Sequence, residues 1–206
     1  MTPEALIARV RAALGRGPKD VVAPPPPVDA AWQRFVAASG EGDVVERFAA
    51  AAAAVGVEVR WVAVAGLEAA VAEILDAAGA VRVAFAADCG LVRAGEGLGG
   101  DPFGLDAGVT GVAAAIARSG TLALHSGPGC PGMASLAPPL HVAVVRAEQV
   151  VGALADYLTA PLAGAPSARA LVTGPSKTAD IEGILITGVH GPGRIVAVLV
   201  EGSPPR

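Results

Sequence analysis

Aromatic side chains, cysteines and lysines are all scarce in this sequence of 206 residues. Aromatic residues make up only 3% of the chain and hydrophobic residues 53%, so the core has to be built mainly from small aliphatic side chains. The two cysteines, Cys89 and Cys130, form no C-x-x-C motif, and two thiols alone cannot hold an iron–sulfur cluster or a structural zinc. We therefore expect two ordinary buried thiols, no metal site and no cofactor bound by this chain.

Charged residues are also few, at 17% of the chain, and the net charge is −4. No run of lysines or arginines is present, which argues against a nucleic-acid partner. The mean hydropathy of +0.56 raises the question of a membrane. However, the longest uncharged stretch, between Arg118 and Arg146, contains four prolines and cannot form one spanning helix. We predict no membrane span and, because the amino terminus lacks the apolar segment of a signal peptide, a cytoplasmic protein.

The amino-terminal residues predict a helical arm followed by a proline-rich connector. Thr2, Pro3 and Glu4 supply an N-cap hydroxyl, a first-turn proline and a first-turn acid, and Gly15 ends the predicted helix. The connector contains four consecutive prolines, and a second short helix is predicted over about residues 30–38. We divide the chain into an N-terminal segment, residues 1–41, and an α/β domain, residues 42–206.

From about residue 57 onward, predicted strands alternate with predicted helices. The predicted strands cover residues 57–64, 81–86, 121–126, 140–146, 168–174 and 194–200. The predicted helices cover residues 43–55, 67–80, 106–120 and 147–160. Several strands are continuous apolar runs, as in sheets covered on both faces. The pattern predicts an α/β fold with a mostly parallel sheet flanked by helices.

Three Gly-Pro turns gather much of the polar chemistry of the chain: "SGPG" at 126–129, "TGPS" at 173–176 and "HGPG" at 190–193. The first two follow predicted strands, where open α/β sheets usually bind ligands. A helix predicted to start at Ser176 would present backbone N–H groups to an anion. The turns therefore predict a small electropositive ligand site. The residues assigned to it are Ser126, Gly127, Gly174, Ser176, Lys177, Thr178 and His190.

The sequence gives less support for a functional role of the remaining histidines and of two acids near the Gly-rich loop. His190 is the strongest candidate for proton transfer, whereas His125 could be functional or structural and His141 is expected to be packed inside a strand. Asp88 and Asp106 flank a Gly-rich loop, and each could be a catalytic carboxylate or a solvated turn residue. The histidines show no metal-ligand spacing. No P-loop, strand-following G-x-G-x-x-G or G-x-S-x-G motif is present, so those three site classes are not predicted.

Three segments resemble the LUD-domain family and, within it, the lactate utilization protein C group: "DAGVTGVAAAIARSGTLAL", "LHVAVVRAEQVV" and "TGPSKTADIEGILITGVHGPGRIVAVLV". The resemblance extends from about residue 42 to the end of the sequence. It implies a NagB/RpiA/CoA transferase-like sheet and a non-redox subunit that helps to oxidise L-lactate to pyruvate together with iron–sulfur partner proteins. One departure is "CPGMASLAPP", where relatives carry a polar residue, and this weakens the transfer of a charged ligand contact from that loop.

Combined with this resemblance, the turns predict a pocket for a small carboxylate or phosphate. Lys177 would supply positive charge, His190 would orient the ligand or exchange a proton, and Thr110 and Asp106 would line the far side. Two alternatives stay open. The chain could be an autonomous isomerase- or transferase-type enzyme acting on a small phosphorylated or acyl substrate. It could also be a scaffold or regulatory domain in which the Gly-Pro turns are purely structural.

Overall fold

The computed structural model describes residues 2–15, 17, 42–161, 166–179 and 185–201. The chain divides into two compact units, residues 1–33 and 34–206. The predicted helix over residues 30–38 and the predicted boundary after residue 41 lie outside the described residues. No helix within the described ranges is long and apolar enough to cross a membrane.

The first unit contains helix α1, Pro3–Ala13. The Thr2 hydroxyl accepts a hydrogen bond from the Ala5 N–H at 3.3 Å, and Pro3 occupies the first turn, where its missing N–H is tolerated. Gly15 follows the helix with a positive φ of 64°. The predicted cap and end of this helix are therefore confirmed.

The second unit contains four further helices and eleven strands in its described part. The helices are α2 (Val44–Ala54), α3 (Leu67–Ala77), α4 (Met133–Leu136) and α5 (Leu154–Thr159). The first six strands are β1 (Glu58–Ala63), β2 (Val83–Phe85), β3 (Ala107–Thr110), β4 (Ala114–Ile116), β5 (Thr121–Ser126) and β6 (Leu140–Arg146). The last five are β7 (Val150–Val151), β8 (Ala168–Val172), β9 (Lys177–Ala179), β10 (Leu185–Thr187) and β11 (Arg194–Glu201).

A five-stranded sheet, in the order β1-β11-β6-β3-β2, forms the centre of the second unit, and all its strand pairs are parallel. Successive residues of β6 and β11 point to opposite faces, because side chains alternate along a strand. Val142 and Val198 face a core that includes α3, whereas Ala143 and Ala197 face a second core. Both faces are therefore buried, and the predicted mostly parallel α/β fold is confirmed.

A second, mixed sheet in the order β7-β4-β5-β8 packs with α2 over that second core. Within it β4 and β5, and β5 and β8, pair antiparallel. On its outer side α5 contributes Tyr157 to a small cluster with Ala114 and Ala123. The layer order is thus helix, parallel sheet, mixed sheet, helix.

The prediction of a helix over residues 106–120 is wrong, because these residues form β3 and β4. Alanine favours helices, but every residue from Ala107 to Ala117 except Ala113 is buried, which leaves no exposed helical face. Gly108 also lies directly against the carbonyl oxygen of Ala134 in α4, with no room for a side chain. Burial between two layers has overridden local helix propensity.

Two other helix predictions need correction. Of the helix predicted over residues 147–160, only Leu154–Thr159 is an α-helix, because Val150–Val151 pairs as a strand with β4. No helix starts at Ser176. The Ser176 N–H donates to the Pro192 carbonyl at 2.9 Å, and Lys177–Ala179 pairs antiparallel with Leu185–Thr187. The helix N-terminus that was expected to bind an anion is therefore absent from these described residues.

Candidate functional site

Three loops meet at the carboxyl edge of the parallel sheet, which is the edge where β2, β3 and β6 end. They are the loop after β2, the loop after β3 and the Gly-Pro turn at 126–129. A 3₁₀ turn, Ala87–Cys89, follows β2, and the Asp88 carboxylate accepts a hydrogen bond from the Gly111 N–H at 3.0 Å. The Ala87 N–H donates to the Gly129 carbonyl at 2.8 Å. One side-chain and one backbone hydrogen bond thus tie the three loops together where α/β sheets usually bind ligands.

Both cysteines lie at this edge, and neither is set up as a nucleophile. Burial raises the pKa of the Cys130 thiol to about 12, and the nearby Asp88 carboxylate contributes by electrostatic repulsion and a hydrogen bond. Burial also raises the pKa of Cys89, which is fully buried. Both thiols are therefore protonated near neutral pH, and a protonated thiol is a poor nucleophile and metal ligand. No cluster of three potential metal ligands occurs among the described residues.

Arg146 and Gln149 hold the end of β6 against the end of β3. The Gln149 side chain accepts from the Arg146 N–H at 2.8 Å and donates to the Val112 carbonyl at 2.6 Å. The Arg146 guanidinium lies against Gly90, whose φ of 70° is in the left-handed region that favours glycine. These contacts connect β6 to the loops after β2 and β3.

A cleft of about 310 Å³ opens beside these loops. We call it the histidine–tyrosine cleft. Its lining residues are Val112, Ala113, His125, Gln149, Tyr157, Ala160 and Pro161. The His125 Nε2 atom and the Tyr157 hydroxyl are 2.7 Å apart, and the two rings are tilted by 48° with their centroids 5.9 Å apart. The cleft therefore brings a polar pair to a concave surface that is lined by both polar and apolar residues.

The pKa of His125 is set by burial and by two nearby charges of opposite sign. Burial lowers its pKa, the positive charge of Arg169 lowers it further, and the negative charge of Asp88 partly opposes both. His125 and Arg169 are directly opposite each other in the β5–β8 pair, so their side chains share one face of the mixed sheet. The imidazole is therefore mainly neutral at pH 7 and can both donate and accept a hydrogen bond.

Five of the predicted site residues lie together, but away from the carboxyl edge. Gly174, Ser176, Lys177, Thr178 and His190 belong to the β9–β10 hairpin and its flanking turns. The Ser176 N–H donates to the Pro192 carbonyl at 2.9 Å, which joins the "TGPS" and "HGPG" turns. The second turn directly precedes β11, so this group is placed at the amino end of the parallel sheet. The side chains of Lys177 and His190 are exposed.

Ser126 and Gly127 are separated from that group by the length of β8. Ser126 pairs with Ala168 at the start of β8, whereas Gly174 follows the end of that strand. Five residues of extended chain span roughly 17 Å. The "SGPG" and "TGPS" turns therefore do not converge. Ser126 and Gly127 instead adjoin the carboxyl-edge loops, because Gly129 of the same turn accepts a hydrogen bond from the Ala87 N–H at 2.8 Å.

Thr110 and Asp106 lie at opposite ends of β3. The Thr110 hydroxyl contacts the buried His141 ring at 2.9 Å, at the carboxyl end of the strand. The Asp106 carboxylate accepts from the Val81 N–H at 3.1 Å, the Arg82 N–H at 2.7 Å and the Arg82 guanidinium at 2.9 Å. Hydrogen bonds with Arg82 are the main cause that lowers the pKa of Asp106 to about 2. Asp106 is thus engaged in holding the turn before β2.

Sequence reasoning missed Tyr157, Gln149, Arg146 and Arg169, and it left His125 open. Tyr157 offered a signal, because it is the one tyrosine of the chain and lies within a region of small apolar residues. No local pattern connects it to His125, which is 32 positions away. Their proximity depends on the packing of α5 onto the outer face of the mixed sheet.

Comparison with known proteins supports one family. The LUD domain pattern matches residues 91–200. Lactate utilization protein C of Deinococcus radiodurans is 38% identical over 98 residues, covering 46% of this chain and 46% of that protein. Lactate utilization protein C of Bacillus subtilis is 34% identical over 100 residues, covering 46% of this chain and 42% of that protein. The matched part is thus less than half the length of these relatives.

The fold is also similar to a solved structure. A crystal structure of a DUF162 family protein from Deinococcus radiodurans aligns with a TM-score of 0.53 and 24% sequence identity. The alignment covers 76% of this chain and 96% of that chain, which supports the same fold. Because the LUD domain match spans more than half of the 206 residues, this chain belongs to the LUD domain family.

Proposed function

We propose that this chain takes part in lactate utilization as a non-redox component of a system that oxidises L-lactate to pyruvate. The observation that carries the proposal is the LUD domain match over residues 91–200, together with relatives named lactate utilization protein C. The relatives extend well beyond the aligned region, so the activity of the complete system is a proposal for this chain. A cytoplasmic location is part of the same proposal.

The electron balance of this reaction requires an electron acceptor, which we propose to be supplied by partner proteins. Converting L-lactate to pyruvate removes two electrons and two protons, and the electrons need an acceptor. The chain has two cysteines, and burial keeps both thiols protonated. We therefore assign the acceptor to iron–sulfur partner proteins, whose clusters take one electron at a time, and propose that this chain binds no cluster.

The part left to this chain is to bind the small carboxylate or to organise the partners. Two surfaces compete for the ligand. One is the carboxyl edge with the histidine–tyrosine cleft, and the other is the predicted group around Ser176, Lys177 and His190. The carboxyl edge has support from its position in the sheet and its concave shape. The hairpin group contains exposed side chains and remains the alternative ligand site.

Gene deletion in the native host tests the proposed function. We expect the deletion strain to lose L-lactate-dependent respiration and growth on L-lactate, to grow normally on pyruvate, and to recover both properties with the intact gene. Purified chain mixed with the iron–sulfur partners should support L-lactate-dependent dye reduction that neither preparation supports alone. Unchanged L-lactate respiration after deletion would refute the proposal. Turnover of sugar phosphates by the purified chain alone would instead support the isomerase or transferase alternative.

A further inference from the structure

We propose that the histidine–tyrosine cleft binds a small carboxylate with an oxygen on the neighbouring carbon, and that the His125–Tyr157 pair donates a hydrogen bond to that oxygen. The choice of L-lactate and pyruvate as probes rests on the proposed function. The location of the site rests on the structure alone. No motif of the sequence points to this cleft.

The first argument is position. The cleft is lined by Val112 and Ala113, which directly follow the carboxyl end of β3 through Gly111. The neighbouring Asp88 loop is fixed to Gly111 by a 3.0 Å hydrogen bond, and Gln149 is fixed to the Val112 carbonyl. The walls of the cleft are therefore held by hydrogen bonds between side chains and the backbone before any ligand arrives, which lowers the entropic cost of binding.

The second argument is the hydrogen-bonding capacity of the polar pair. If the neutral His125 ring accepts the Tyr157 O–H at Nε2, its remaining proton is on Nδ1. If Nε2 carries the proton and donates it to the tyrosine oxygen, the phenolic O–H is free to turn toward another acceptor. In both tautomers the pair retains one N–H or O–H donor. A hydroxyl or keto oxygen of a small acid is a suitable acceptor.

The third argument is charge and size. Arg169 faces the same side of the mixed sheet as His125 and lies directly opposite it, so a carboxylate beside the imidazole has a cation within reach. Asp88 is the carboxylate that acts on His125 among the described residues, and its negative charge repels an anionic ligand, so the carboxylate of the ligand has to lie on the Arg169 side of the imidazole. The volume of about 310 Å³ lies near the lower end of the usual range of about 300–1,000 Å³, which suits a small acid.

Imidazole NMR on the full chain tests the site. The chain has three histidines, so its imidazole signals are few and can be assigned one by one. His125→Gln and His190→Gln spectra assign the signals of the two histidines that reach the surface. We expect L-lactate and pyruvate to shift the His125 signals in a saturable manner and to leave the His190 signals in place. Sodium chloride controls for ionic strength, acetate for the missing neighbouring oxygen, and inorganic phosphate for general anion binding.

Two variants measure how much Tyr157 and Arg169, the neighbours of His125, contribute to ligand binding. Tyr157→Phe keeps the ring and removes the hydroxyl that either donates to the ligand or holds the donating imidazole in place, so the dissociation constant should rise about tenfold, the size of one lost hydrogen bond. Arg169→Gln should also weaken binding, whereas Arg60→Gln, an exposed arginine on β1 paired with Glu73, should not. Movement of the His190 signals alone, or no saturable change in the His125 signals, would overturn the proposal. An equal response to chloride or phosphate would do the same.

Complementation separates this inference from the proposed function. If Tyr157→Phe and Arg169→Gln fold and restore L-lactate respiration fully, the cleft proposal fails and the lactate role stands. If the deletion strain respires L-lactate normally while the purified chain still shows saturable His125 shifts, the lactate role fails and the cleft stands.

Discussion

Acidification should destabilise this protein through His141, a histidine held neutral inside the fold. The ring has no exposed surface, and its Nε2 atom is 2.9 Å from the Thr110 hydroxyl. The Thr110 hydroxyl donates its proton to the Gly111 carbonyl at 2.8 Å, so it has to accept from a protonated Nε2. The Nδ1 atom then carries a lone pair, and it has no hydrogen-bond partner among the described residues. Nothing in this environment stabilises a second proton.

The size of the effect follows from the pKa of this group. Burial lowers the pKa of His141 from 6.5 to about 4 in the folded state. Between these two values the unfolded chain binds a proton that the folded chain does not, so stability falls as the pH falls. A difference of about 2.5 pKa units corresponds to about 3 kcal/mol lost between roughly pH 7 and pH 4. The loss is progressive through this window and is complete below the folded pKa.

Denaturant unfolding at a series of pH values measures this loss. The comparison is with His141→Leu, which cannot titrate at this position and leaves the Thr110 bond to Gly111 in place. Other groups that titrate contribute similarly to both proteins, so the difference between the two pH profiles isolates His141. NMR of the folded wild type gives a second readout, in which the His141 signals should not titrate between about pH 7.5 and pH 5. Parallel profiles, or a folded-state pKa near 6.5, would refute the reasoning.

Two further predictions concern the ends and the packing of β3. Gly108→Ala should destabilise the fold by several kcal/mol in urea unfolding, because the new methyl group overlaps the Ala134 carbonyl, whereas Gly99→Ala, with open space around it, should change stability little. Equal effects of the two changes would contradict this packing. Asp106→Asn should lower the melting temperature at neutral pH, because the carboxylate bonds to Arg82 are weakened. Since the pKa of Asp106 is lowered to about 2, the wild-type advantage should shrink as the pH falls below about 3.8 toward 2, and an advantage that does not depend on pH would contradict the role of its charge.

The strands with continuous apolar runs were predictable because their signal is local. Strand β5 has the bounds that were expected, and β6 and β11 match their apolar runs closely. Helix α2 was also predictable, because Asp43 accepts hydrogen bonds from the N–H groups of Val45 and Glu46 at 2.8 and 3.0 Å. In these cases side-chain periodicity or capping chemistry is contained within a few residues.

The candidate site was much less predictable. Polar residues in Gly-Pro turns were expected to converge because two of those turns follow strands. The antiparallel pairing of β5 with β8 instead directs the ends of these two strands in opposite directions. The same pairing places Arg169 opposite His125, and the packing of α5 adds Tyr157. Strand direction and helix placement arise from contacts between distant segments, which no local pattern specifies.

Local features of the chain were enough to predict the class of this protein: an aliphatic α/β domain with parallel strands buried on both faces, in a family that its motifs already indicated. Those properties depend on composition, periodicity and short motifs. Contacts between distant segments determine that the Ala-rich residues 106–120 contain two strands and no helix, and which polar groups share a surface. The physical reason is that burial between two layers and the direction of strand pairing depend on the whole chain, and their free energies exceed the modest preferences of individual residues for helix or strand.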